Sequence, residues 1–143
     1  MSPDEQREFL EANRLCVVGI PRASGGPQMS PVYYAMDGDS LIISTTRSRW
    51  KARQVRREPA ISICVLGEKP PFPYLLIYGR GYIEDSGAVD AMMKIGARMT
   101  GSPLPESARP AIEERAKTEG RVVLRFTPER FSPITPYGLP KKE

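Results

Sequence analysis

The chain has 143 residues, of which 40% are hydrophobic and 27% charged, and this composition excludes both a disordered chain and a membrane-spanning one. It contains no histidine, which excludes histidine-based catalytic triads and disfavours a zinc or non-haem iron site. Its net charge of +4 arises in the segment Arg47–Arg57, which holds six of the 21 basic residues and no acidic one, so that 15 basic residues stand against 17 acidic ones elsewhere.

Length, cysteine content and the N-terminus indicate the setting of the protein. A chain of this size fits one domain spanning residues 1–143 and needs no disulfide or metal to hold it together. Cys16 and Cys64 both lie in apolar runs, which predicts buried residues in a reducing compartment, with a disulfide or a reactive thiol as the alternative. The N-terminus lacks the order of a signal peptide, and no apolar run reaches the roughly 20 residues of a membrane helix. We therefore predict a cytoplasmic protein.

Six strands and four helices follow from the pattern of the sequence. Ser2 and Glu5 form a capping box around Pro3, which predicts a helix that runs to about Asn13. Apolar and β-branched runs between turn residues predict strands at Leu15–Ile20, Gln28–Met36, Ser40–Thr45, Ala60–Leu66, Tyr74–Glu84 and Arg121–Phe126. The other helices are predicted at Ser48–Arg57, from a cap at Asp85 or Ser86 to about Met99, and near Arg109–Thr118.

Proline and glycine interrupt two of these strands. Pro31 cannot donate to a sheet ladder, so its strand is predicted to lie at an edge or to carry a bulge. Gly79 and Gly81 predict a bend or bulge in the long strand, as closure of a barrel requires. Six strands with two helices inserted before the last one predict an α+β fold built on an antiparallel barrel.

The strongest functional signal is Ser44–Arg53, where a strand that ends in hydroxyl side chains leads into a basic helix. The N–H groups at the start of that helix, together with Arg49 and Lys51, suit a phosphate group. Trp50 and Val55 are predicted to anchor the helix to the core. A solvated basic helix without a ligand is the alternative, and a nucleic-acid surface is a weaker one because the rest of the chain is mildly acidic.

A second, weaker signal is the interrupted strand Gln28–Tyr34. Its small and amide side chains leave backbone groups open to a flat heterocyclic ring. A kinked barrel strand without a ligand is the alternative. Because the chain has no histidine, an enzyme built on these two segments would take its chemistry from an organic cofactor.

Several motifs follow one another in a fixed order along nearly the whole chain. After the first helix and strand come Pro27–Val32 with an aromatic pair, the hairpin Asp37–Asp39, Arg49–Gln54, Arg56–Ala60, a long strand with Gly79 and Gly81, and the terminal Tyr137–Pro140. In this order they resemble the pyridoxamine 5'-phosphate oxidase-like split β-barrel superfamily, and most closely its branch that uses the deazaflavin coenzyme F420. The resemblance implies a six-stranded antiparallel split β-barrel with peripheral helices, working as a homodimer with two cofactor sites at the subunit interface.

The resemblance also implies roles for individual residues. Arg49 and Lys51 would hold the cofactor phosphate, with help from the hydroxyl side chains of Ser44, Thr45 and Thr46. The tricyclic ring would lie along the segment made of Gln28, Met29, Ser30, Pro31 and Val32. Arg53 or Arg56 would meet the acidic glutamyl tail of F420. The substrate cavity would include three tyrosines, Tyr33, Tyr78 and Tyr137.

We therefore predict an F420-dependent oxidoreductase that transfers a hydride between the cofactor and an unsaturated or conjugated small molecule. No catalytic side chain and no metal are predicted, because hydride transfer from a reduced deazaflavin needs substrate in near-attack geometry rather than a side-chain base. An FMN-binding oxidase or reductase on the same fold is the first alternative, since both cofactors place a phosphate near the same basic pair. A non-catalytic protein that binds a flavin or deazaflavin is the second. We predict no nucleic-acid or membrane partner.

Overall fold

The computed structural model describes residues 1–134, which form a sheet of seven strands with four α-helices around it. Helices α1 to α4 are Pro3–Ala12, Trp50–Arg57, Ala88–Thr100 and Arg109–Glu119, and a short 3-10 turn at Glu106–Ala108 precedes the last of them. Strands β1 to β7 are Leu15–Ile20, Gln28–Tyr33, Ala35–Asp37, Ser40–Thr46, Ala60–Leu66, Tyr74–Glu84 and Arg121–Ile134.

The order of the strands requires the sheet to curl. β2 and β3 are the two ends of the order β2-β1-β5-β6-β7-β4-β3, in which every neighbouring pair is antiparallel. Only Tyr34 separates the end of β2 from the start of β3, so the two edges of the sheet must meet at this residue. The predicted α+β antiparallel split barrel is confirmed, with seven strands in the described part of the chain instead of six.

The extra strand arises because the prediction of one continuous strand over Gln28–Met36 is wrong. Side chains of a strand alternate between its two faces, but Tyr34 and Ala35 are both buried. The chain bends at Tyr34, whose N–H donates to the carbonyl oxygen of Arg14 at 3.0 Å and whose hydroxyl donates to that of Leu10 at 2.7 Å. β2 remains an edge strand, which confirms the edge position expected from Pro31.

The sheet has two apolar layers, one on each side of β4. Leu41 and Ile43 belong to the main core inside the barrel, which also takes side chains from β1, β5, β6 and β7. Ile42, which lies between them, faces the other side and packs with Ala91 and Ile95 of α3. The alternation of β4 thus decides which of its last three residues point into the barrel and which point toward α3.

Two predicted boundaries shift for identifiable reasons. α2 begins at Trp50 rather than Ser48, because Arg49 has extended backbone angles and acts as its N-cap. β7 continues to Ile134 instead of ending at Phe126. β4 pairs with β7 only as far as Phe126, so the rest of β7 is an edge, where proline is tolerated. The capping box of Ser2 and Glu5 is confirmed at the start of α1.

Gly79 occupies the bulge expected in the long strand. The register of β6 against β7 shifts between Tyr78 and Gly79, and a Cβ atom on Gly79 would lie 2.2 Å from the carbonyl oxygen of Thr127. We expect Gly79→Ala to lower the free energy of unfolding by roughly 2–4 kcal/mol, because backbone rather than a flexible side chain must move. Urea denaturation measures this effect. Gly26→Ala is the control, since nothing lies within 4 Å of that position, and an equal effect of both substitutions would contradict the clash.

Candidate functional site

The positive charges of the basic segment fall into two groups. Arg47 and Arg56 both bind Asp85, with N–O distances of 3.3 and 2.7 Å. Asp85 is therefore their counter-ion, and the prediction that Asp85 or Ser86 caps α3 is wrong, because Gly87 is the N-cap and no side chain caps it. The remaining basic residues of the segment form no ion pair with residues 1–134, so their charges are available to a ligand. They are Arg49, Lys51, Arg53 and Arg57.

Three of these remaining residues form an exposed stripe. Arg49, Arg53 and Arg57 recur at every fourth position, which places them along one side of α2. Trp50 and Val55 pack against the main core, which confirms them as the anchors of this helix. The stripe is therefore held by a helix that is fixed to the barrel.

Lys51 differs from the other basic residues of α2 because it is buried. It is 7% exposed and forms no ion pair or side-chain hydrogen bond within residues 1–134. Burial, and after it the charge of Arg49, lowers the pKa of Lys51 below its ordinary value. Burial of a lysine side chain without a counter-ion in the described residues is unfavourable, so an anion beside the Lys51 ammonium would offset part of this cost.

The hydroxyl side chains at the end of β4 lie where β3 no longer pairs with β4, which is the split in the barrel. β3 covers β4 only as far as Ile42, so the edge of β4 beyond that residue is open. The hydroxyl oxygens of Ser44 and Thr45 are buried and have no hydrogen-bond partner within residues 1–134. Thr45 shares the barrel-interior face with Ile43, whereas Ser44 and Thr46 face the α3 side. The three hydroxyl groups predicted to act together therefore divide between two faces of the sheet.

The segment predicted to lie along a cofactor ring is the edge strand β2. Met29 and Pro31 point outward and are exposed, Met29 by 67%. Val32 points inward and is paired directly with Cys16 of β1. Lys51 is close enough to Cys16 for its charge to offset part of the rise that burial causes in the pKa of that thiol, which reaches about 12. Lys51 therefore lies within electrostatic reach of Cys16, the direct neighbour of Val32 on β1.

Comparison with known proteins identifies the family to which this fold and site belong. The family model described as pyridoxamine 5'-phosphate oxidase matches residues 2–134. The chain belongs to the pyridoxamine 5'-phosphate oxidase family. No curated protein matches the chain by sequence.

Solved structures similar to this family member include proteins with different ligands. A conserved hypothetical protein from Mycobacterium tuberculosis is 21% identical with a TM-score of 0.82, over 100% of this chain and 91% of that one. An F420 reductase is 27% identical with a TM-score of 0.69, over 88% of this chain and 94% of that one. An FAD-binding protein from Mesorhizobium loti is 20% identical with a TM-score of 0.63, over 93% and 92% of the two chains.

The tyrosines predicted for a substrate cavity occupy different places in this family member. Tyr33 lines a cavity of about 310 Å³ that also includes Val32 and Ser44. Tyr78 lies on the outer face of β6 with the guanidinium of Arg130 4.7 Å from its ring centre, and it does not line the cavity of Tyr33. Tyr137 lies outside the described residues. Of the two tyrosines within residues 1–134, Tyr33 is thus the one that lines this cavity.

Two cysteines predicted to be buried differ in their surroundings. Both are free, Cys16 buried inside the barrel and Cys64 partly buried. They occupy opposite faces of the β1–β5 pair, because Cys16 is opposite Val65 and Cys64 is opposite Val17. Burial raises the pKa of Cys64 as well, so neither thiol is activated.

Among residues 1–134, no helix is long and apolar enough to cross a membrane.

Sequence reasoning missed the other wall of the cavity that holds Tyr33. This wall comes from α3, α4 and the start of β7, including the two arginines Arg115 and Arg121. The signal in the sequence is the spacing of Met92, Ile95 and Met99, which forms one apolar stripe of a helix. That pattern is equally typical of a helix packed on a core, so it could not indicate a cavity without the structure.

Proposed function

We propose that the protein is an oxidoreductase that binds F420 and reduces an unsaturated or conjugated small molecule. The observation that carries the proposal is Lys51 at the start of α2, a lysine whose side chain is largely buried and has no counter-ion within residues 1–134. Such a site suits an anionic ligand, and the phosphate of a flavin or deazaflavin is of the right kind. The similarity to an F420 reductase at 27% identity supports the choice of F420.

The residues present suit such a phosphate. Arg49 adds an exposed guanidinium next to Lys51, and the first turn of α2 presents N–H groups that have no partner within the helix. Thr45 faces the barrel interior, and its hydroxyl has no hydrogen-bond partner in the described part of the chain, whereas Ser44 and Thr46 face α3. We therefore assign the phosphate to Arg49, Lys51 and the helix N-terminus, with Thr45 as an additional donor.

The ring of the cofactor would lie along the outer edge of the barrel. Gln28, Met29, Ser30, Pro31 and Val32 belong to the edge strand β2, whose outer side carries no further strand from residues 1–134. A deazaflavin held there would supply the hydride for reduction of the acceptor's double bond, and solvent would supply the proton. The chain's part is to hold the ring and the acceptor in near-attack geometry.

A homodimer is part of the proposal, because a broad apolar face of the sheet lacks a covering layer within residues 1–134. The outer side of β2, β1, β5 and β6 carries half-exposed Val17, Leu66 and Leu76 and the more exposed Met29 and Tyr78. Antiparallel sheets that face water normally carry polar residues on that side. A second copy of the chain would cover this face and would bring two β2 edges to one interface.

A side-by-side titration of the cofactor-free protein with F420 and FMN tests the proposal. We expect submicromolar binding of F420 and weaker binding of FMN, followed by absorbance and fluorescence. Preference for FMN would replace the proposed cofactor by the alternative on the same site. No binding of either compound would overturn the proposed function. Tight binding without turnover of any acceptor would mean that the protein binds the cofactor but is not an oxidoreductase.

Arg53 offers a sharper test of the F420 assignment. Its guanidinium is exposed and has no ion pair within residues 1–134, whereas Arg56, the other residue considered for the glutamyl tail, is bound to Asp85. We expect Arg53→Ala to weaken F420 binding roughly three- to tenfold and to leave FMN binding unchanged, because FMN has no glutamyl tail. Arg56→Ala should have a smaller effect on F420. Arg80→Ala, which removes an exposed arginine paired with Glu129, is the control, and equal losses for both cofactors would contradict the assignment.

A further inference from the structure

The cavity that holds Tyr33 adjoins the open edge of β4. It has a volume of about 310 Å³ and lies between the end of β2, the open half of β4 and helices α3 and α4. This volume is at the lower end of the range for small-molecule pockets. Val32 and Tyr33 form one side of it, where the β2 segment ends. The cavity therefore shares no lining residue with the Arg49 and Lys51 site, and the end of β2 forms one of its sides.

One end of this cavity is polar. Ser44 and Arg121 belong to the paired strands β4 and β7, where Ser44 lies opposite Val123, two residues from Arg121 on the same face. Diagonal neighbours of this kind are within reach of a long side chain. The Ser44 hydroxyl is buried without a partner in the described part of the chain, and Arg121 is 15% exposed. A hydroxyl donor and a guanidinium thus face the same space.

The charges at the polar end leave one positive charge unbalanced. Arg121 and Arg115 both donate through Nε to the carboxylate of Glu119, at 2.6 and 3.0 Å. These two hydrogen bonds hold the pKa of Glu119 below its ordinary value, so its carboxylate remains ionised. The terminal nitrogens of both guanidinium groups form no hydrogen bond with residues 1–134. Two cations therefore share one anion and still have donors to offer.

The other end of the cavity is apolar. Met92, Ile95 and Met99 form one stripe of α3, and Leu104 and Ile112 close the space from the side of α4. Gly96 allows this closure, because a Cβ atom there would lie 2.6 Å from Leu104. Met99 is 46% exposed at the rim. A ligand that fits both ends would combine a small apolar body with one anionic group.

We propose that this cavity binds a small apolar carboxylate, with its ring or alkyl group against α3 and its carboxylate on Arg115, Arg121 and the hydroxyl of Ser44. Binding of this ligand does not depend on the cofactor. The further step, that this ligand is also the compound that is reduced, rests on the proposed function. The position of the cavity at the end of the β2 segment supports that step.

Calorimetric titration of the cofactor-free protein with 1-naphthoate and with the neutral 1-naphthalenemethanol tests this proposal. We expect 1-naphthoate to bind roughly tenfold or more tightly than the alcohol, because only the carboxylate can accept charge-assisted hydrogen bonds. Arg121→Gln should remove most of this preference and leave the binding of the alcohol unchanged. Arg115→Gln, on the exposed side of α4, should reduce the preference without threatening the fold.

Two controls keep this outcome apart from that of the cofactor site. Arg109→Gln removes a cation that is bound to Glu106 and Asp90 and does not line this cavity, so it should leave both titrations unchanged. The double variant R49A/K51A should bind 1-naphthoate like the original protein even where it no longer binds F420. Equal affinity for the acid and the alcohol, no binding of either, or a preference that survives both glutamine variants would overturn the proposal.

Discussion

Replacing Arg49 and Lys51 together with alanine is expected to weaken the binding of both FMN and F420 by roughly a hundredfold. Each side chain would donate charge-assisted hydrogen bonds to the phosphate, and each such contact contributes about 1.5–3 kcal/mol. Most of the loss should come from Lys51, because its side chain is largely buried and has no other counter-ion within residues 1–134. Fluorescence titration of the purified variant with each cofactor measures the change.

The matched control is the double variant R47A/R80A. It also removes two positive charges, but from exposed side chains that are paired with Asp85 and Glu129. We expect it to change the affinity for either cofactor less than about threefold. The pH dependence adds a second readout. Because burial lowers the pKa of Lys51, affinity should fall as the pH rises through that lowered pKa, and this fall should be present in R47A/R80A but absent in Lys51→Ala. Equal losses in the two double variants would mean that general charge, not this site, attracts the cofactor.

Local rules of the sequence were sufficient for most of the barrel. Ser2 and Glu5 predict the capping box, Pro31 predicts an edge strand, and Gly79 predicts the bulge, because each depends on a backbone property of the residue itself. β1, β5 and β6 have the predicted bounds for a similar reason, since apolar runs between turn residues need little help from the rest of the fold.

What could not be predicted depends on contacts between distant segments. The break at Tyr34 follows from its hydrogen bonds to Arg14 and Leu10, which no local pattern indicates. The pairing of Arg56 with Asp85 joins residues 29 apart and turns an expected helix cap into a counter-ion. The resemblance places Ser44 and Thr45 in one site, but the alternation of β4, once its core-facing residues are known, separates them.

The uncovered face of the sheet leads to a further large effect, on assembly. Val17 lies near the middle of this face on β1, directly opposite Cys64 of β5, and is half-exposed in the single chain. Val17→Asp would place a carboxylate at the centre of the proposed interface between two copies, where burial of an unpaired charge costs several kcal/mol. We expect the dimer dissociation constant to rise by roughly two orders of magnitude or more, measured by sedimentation equilibrium at micromolar concentration.

The variant also links assembly to cofactor binding. Because Val17 is not fully buried in the single chain, Val17→Asp should keep the far-ultraviolet circular dichroism of the folded barrel, and Ala111→Asp on the exposed side of α4 is the control that should remain dimeric. If the cofactor sites are composed of two chains, the dissociated variant should also lose F420 affinity, although Arg49 and Lys51 are intact. A monomeric original protein, or a Val17→Asp variant that stays dimeric, would exclude this face as the interface. A monomeric variant that binds F420 normally would place the whole cofactor site within one chain.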